Sequence, residues 1–97
     1  NFSDIKFLPG AIELANDGIM PGGSKRNLEY SEKFVEFSNE LSDVQKLLAC
    51  DAQTSGGLLI SLPNDEADEF IKALNSSSAS KIGNIINQGS NIISVNP

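Results

Sequence analysis

The stretch SDVQKLLACDAQTSGGLLISLP, residues 42–63, carries three local patterns in succession, and its reading decides the fold class. Ser42 and Gln45 stand at capping-box spacing, each side chain placed to satisfy a free backbone N–H of a first helical turn. Val44, Leu47 and Leu48 then recur at the spacing of one apolar helix face, so a helix is expected over 42–49. Residues 58–62 are a short apolar run closed by Pro63, which predicts a strand. Between helix and strand lie Thr54, Ser55, Gly56 and Gly57: two hydroxyls, then two positions without side chains. Such a segment lets a ligand or a second backbone come close, and the same letters also suit tight packing at a helix-to-strand turn.

Working outward, residues 11–16 predict a short helix that opens after Pro9-Gly10, with Ile12 and Ala15 facing inward. Gly18 suits the left-handed conformation past its end. Residues 20–27, MPGGSKRN, read as a turn-rich loop, and 30–37, YSEKFVEF, as irregular chain or a short helix. A further helix is expected over 64–74, capped by Asn64, with Ala67, Phe70, Ile71 and Leu74 as its buried stripe. Asp65, Glu66, Asp68 and Glu69 crowd the positive end of that helix dipole, as a solvated first turn does. After a polar connector, residues 81–86 and 91–95 predict two strands joined by a hairpin-type turn at 87–90. The expected architecture is a single α+β domain, residues 1–97, with helices packed on a mixed β-sheet and no internal repeat.

The charge balance narrows the function. Thirteen acids against seven bases give a net charge of −6, which argues against a nucleic-acid or anionic-membrane surface, since both require a basic footprint. No apolar run is long enough to span a bilayer, and the first residues lack the pattern of a signal peptide. With only Cys50 an internal disulfide is excluded, with no histidine a zinc site is not expected, and a reducing cytoplasm is the expected location. Cys50 follows an apolar helix without a neighbouring base and is read as a structural thiol. The opening at Asn1 rather than Met leads us to expect a piece of something larger.

Residues 18–25, GIMPGGSK, come close to a phosphate-binding P-loop, but Ser24-Lys25 reverses the required order and no strand precedes it. What remains is a loop in which Gly22 and Gly23 expose backbone N–H groups beside Lys25, Arg26 and Asn27. Both an anion-receiving loop and a plain surface turn fit these residues. Asp51 fits a side-chain turn cap better than a magnesium ligand.

Taken together, the two loops resemble the selenophosphate synthetase (selenide, water dikinase) family. LPGAIELANDGIMPGGSKRN, residues 8–27, is similar to that family's LPGALELA and GIxPGGTxRN segments, and CDAQTSGGLLI, residues 50–60, to its CDPQTSGGLLI. Lys81 to Ile85 resembles a late AxxIGxV strand. Ala52 departs from the family's proline, and Ser24 from a common threonine whose hydroxyl it keeps. The resemblance implies the C-terminal part of a two-domain enzyme of the aminoimidazole ribonucleotide synthetase (PurM-like) superfamily. Such an enzyme is a homodimer that uses ATP and Mg2+ to make selenophosphate from selenide and water, releasing AMP and phosphate. The resemblance places its catalytic cysteine or selenocysteine, lysine and magnesium-binding aspartates outside these 97 residues, in an N-terminal ATP-binding domain and in a TDVTGFGL-type stretch at the start of the C-terminal domain; the N-terminal domain becomes this segment's expected partner. It assigns no catalytic residue or metal ligand here. The substrate or phosphate contacts it suggests are Thr54, Ser55, Gly56 and Gly57, then Gly22, Gly23 and Asn27, with charge from Lys25 and Arg26. The competing readings are a stand-alone small-anion-binding module and a sister enzyme of the same superfamily.

Overall fold

Two glycines bracket the first helix. Gly10 (φ 84°) precedes α1 (Ala11–Asn16), and Gly18 (φ 80°) follows it, donating its N–H to Ala15 O at 3.0 Å. Both take the left-handed conformation that a side chain disfavours, so the start and stop signals read from the sequence hold. In this computed structural model, which describes residues 1–87 and 92–97, the chain opens with a 3-10 turn at Phe2–Asp4. After α1 come α2 (Gly22–Ser31), β1 (Val35–Phe37), α3 (Asp43–Ala49), α4 (Asn64–Leu74) and β2 (Ile93–Val95).

The predicted capping box is formed: Ser42 Oγ accepts from Gln45 N at 3.3 Å, and Ser42 N donates to Gln45 Oε1 at 2.8 Å. Residues 20–27, expected to be a loop, instead contain the first turn and a half of α2, and residues 30–37 divide between the end of that helix and β1. Glycine, serine and asparagine are weak helix formers, so α2 owes its form to what it packs against rather than to propensity.

Among the described residues the sheet has two strands, β1 and β2, paired in parallel with Val35 opposite Ile93, Glu36 opposite Ser94 and Phe37 opposite Val95. This corrects the expected mixed sheet. It also corrects the strand at 81–86, which is not formed, and the hairpin, since β2 pairs with β1; residues 88–90 of the expected turn and residue 91 of the expected strand lie outside the described residues. Parallel strands need a crossover, and here α3 and α4 supply it. Phe2 N donates to Asn96 O at 2.7 Å, tying the first turn to the end of β2.

The core gathers where these pieces meet. Phe2, Ala15, Leu41 and Leu48 are buried, with Ile5, Phe7, Met20, Phe37, Val44 and Val95 packed against them. Both α1 and α2 lean on α3. Ile12, expected inside, is exposed beside the buried Ala15. The stripe of α4 is at best half-buried, Leu74 is exposed, and Pro63 rather than Asn64 occupies the N-cap, Asn64 Oδ1 accepting instead from Lys81 Nζ. Residues 58–62 form no strand, and Leu58 and Leu59 are 90% and 84% exposed. Among the described residues no helix is long and apolar enough to cross a membrane.

Candidate substrate-facing site

Helix α2 begins immediately after Pro21, whose extended backbone (ψ 139°) serves as N-cap. Its first residues are therefore Gly22, Gly23 and Ser24, and the turn that leaves α3 at Cys50, Asp51 and Ala52 lies against them. Ser24 Oγ donates to Asp51 Oδ1 at 3.0 Å and accepts from Ala52 N at 3.3 Å. One turn on, Asn27 Nδ2 donates to Cys50 O at 3.1 Å. A further turn along, Ser31 Oγ and Cys50 Sγ are 3.4 Å apart. Residues 23, 24, 27 and 31 lie on one helix face, the spacing that lets a helix grip an adjoining chain.

The close fit explains the glycine at 23. A Cβ there would lie 2.6 Å from Ala52 Cβ, too close for real carbon atoms, so only glycine lets the turn rest on the helix. Gly22 has no such constraint: a Cβ there would meet Arg26 Nη1 at 3.6 Å, an ordinary contact.

The two stretches singled out in the sequence thus converge, but through their inner residues. Beyond Ala52 the chain leaves the helix, and Thr54, Ser55, Gly56 and Gly57 are all exposed. Among the described residues the Thr54 and Ser55 hydroxyls make no hydrogen bond to protein, and Lys25 and Arg26 make no ion pair. The Gln53 carboxamide lies beside Gly56, where a Cβ would sit 2.8 Å from its Oε1. The result is a short, exposed loop rich in uncommitted donors, hung from a fixed turn. Such a loop offers N–H and O–H groups to an anion's oxygens.

Three participants escaped the sequence reading. Ser24 carries no local sign of burial in the sequence, yet its side chain is wholly buried. Ser31 gave no signal. Lys6 lines, with Ile5, Phe7, Leu48, Ala49, Asp51 and Gln53, a cleft of about 250 Å³. Nothing local in the sequence joins Lys6 to Asp51. Among the described residues no group of three or more Cys, Asp or Glu side chains is placed to hold a metal ion. The resemblance places the Mg2+ ligands outside these residues. Asp51 serves as hydrogen-bond acceptor for Ser24.

No family model matches the chain, and no solved structure matches it. Curated proteins do. It is 44% identical to the selenide, water dikinase of Aliarcobacter butzleri over 97% of the chain and 28% of that protein. It is 41% identical to that of Campylobacter jejuni, over 94% of the chain and 26% of the relative, and 37% identical to that of Clostridioides difficile, over 94% and 27%. The chain spans little more than a quarter of the length of these relatives. Over the portion that it spans, the chain belongs to the selenide, water dikinase family.

Proposed function

We propose that these residues form the C-terminal wall of the active-site cleft in a cytoplasmic, homodimeric selenophosphate synthetase. The enzyme would convert selenide, ATP and water into selenophosphate, AMP and phosphate. The observation that carries this reading is the clasp between α2 and the Cys50–Asp51–Ala52 turn, in which the motif residues Gly23, Ser24 and Asn27 hold the base of the Thr54 to Gly57 loop. ATP and Mg2+ would be held by an N-terminal domain outside this segment. The role left to this segment is to bind and orient. Thr54 and Ser55 hydroxyls and the N–H groups of Gly56 and Gly57 would donate to phosphoryl oxygens, with Gly22, Gly23 and the second N–H of Asn27 on the facing side. Lys25 and Arg26 would add positive charge. Preorganised donors of this kind stabilise developing charge without exchanging protons with it.

The test is selenide-dependent formation of selenophosphate and AMP by the full-length protein, followed by phosphorus NMR. Removing one charge-assisted donor costs about 1.5–3 kcal/mol, so Thr54→Ala and Asn27→Ala should each lower kcat/KM by roughly ten- to a hundredfold. Unchanged kcat/KM in both variants would remove the reading.

A further inference from the structure

The apolar core of this chain is thin, and its residues keep 3–8% of their surface exposed; the one fully buried side chain among the described residues is that of Ser24. A hydroxyl is an unexpected occupant for the most enclosed position, because burying it is unfavourable unless its hydrogen-bonding capacity is used. Here it is used in both directions, as donor to Asp51 and acceptor from Ala52. Ser24 is also the sole buried residue of α2, so this helix is registered against its neighbour by polar contacts and not by an apolar stripe. Three consecutive residues are each held: Cys50 by its carbonyl, Asp51 by its carboxylate, Ala52 by its N–H. From Gln53 onward the chain is exposed through Gly57.

We infer that Ser24 is a positioning residue, which acts through Asp51 and Ala52 to fix where Gln53 to Gly57 stands relative to the first turn of α2. The inference rests on the proposed phosphoryl-binding role of that loop. It adds that the loop's placement depends on one buried hydroxyl, not on the bulk of the side chain. Moving loop donors by an ångström is enough to cost a large part of their effect on a transition state, while the fold away from the clasp is unaffected.

The experiment uses the full-length protein and three readouts: selenophosphate formation, thermal unfolding, and the amide resonances of Gln53 to Gly57. Ser24→Ala is expected to lower kcat/KM by about tenfold or more and to shift those amides, whereas Ser24→Thr, which keeps the hydroxyl, stays within about threefold of the parent. Asp51→Asn, which keeps an acceptor oxygen, should likewise stay near the parent, and Asp51→Ala should match Ser24→Ala. The double alanine variant should be no worse than either single one, as residues acting through a shared contact behave. If Ser24→Ala does not fold, the Asp51→Ala and Asp51→Asn pair decides the matter by the same readouts. Parental kinetics and unshifted loop amides in the alanine variants would overturn the inference, and so would equal impairment in the hydroxyl-keeping variant. A parent protein that makes no selenophosphate would sink the proposed function alone, since loop amides displaced by Ser24→Ala would still report positioning.

Discussion

Gly23→Ala tests the clasp at its tightest point. In a free helix the change would be favourable, since alanine is preferred to glycine by up to about 1 kcal/mol, less at a first turn. Here the added carbon would stand 2.6 Å from Ala52 Cβ, against the 3.4 Å at which ordinary contact begins. The atom it meets is not the far end of a flexible side chain but a Cβ on a turn pinned by Ser24. Relief therefore requires moving backbone, and overpacking of this kind typically costs 1–3 kcal/mol. Subtracting a first-turn propensity gain of about 0.5 kcal/mol leaves a net loss of about 0.5–2.5 kcal/mol. Gly22→Ala is the control: its Cβ meets only the mobile Arg26 guanidinium at 3.6 Å, and stability should stay level or rise slightly. Urea unfolding followed by far-UV circular dichroism gives the comparison. Ala52→Gly placed on top of Gly23→Ala removes the carbon it collides with and should recover most of the loss. A Gly23→Ala protein as stable as Gly22→Ala, or no recovery in the double variant, would show that Ala52 does not constrain position 23.

Two further outcomes follow from the rest of the fold. Ser42→Ala removes the acceptor for Gln45 N and breaks the reciprocal capping box of α3, at a cost of about 1 kcal/mol in the same unfolding assay. Leu58→Ser acts on a side chain 90% exposed in this chain, so stability of the 97-residue chain should change by less than about 0.5 kcal/mol while its solubility increases.

The helices that were legible in the sequence are those whose ends are written in local chemistry. Gly10 and Gly18 bound α1, Ser42 and Gln45 open α3, and the apolar spacing of Phe70 and Ile71 marks α4. Helix α2 was hidden because Gly22 and Gly23 read as loop residues, and the reason Gly23 sits in a helix is Ala52, distant in sequence. The sheet was hidden for the same kind of reason. Residues 58–62 and 81–86 have strand-like composition but no partner among the described residues, whereas Val35 to Phe37, ambiguous by pattern, becomes a strand through Ile93 to Val95. Pairing over that separation leaves no local signature. In the candidate site, the motifs were visible as motifs, yet the division of labour within them was not. That Ser24 is buried while Thr54 and Ser55 are exposed depends on which face of α2 meets the turn after α3.

In the proposed site the first turn of α2 and the loop from Thr54 to Gly57 face one phosphoryl group. An amide NMR titration of the full-length protein with inorganic phosphate, then with magnesium-ATP, addresses it directly. Saturable shifts are expected at Gly22, Gly23, Ser55, Gly56 and Gly57, with α3 and the β1–β2 pair unaffected. A well-dispersed spectrum in which those five amides stay in place while the ligand binds elsewhere would contradict it.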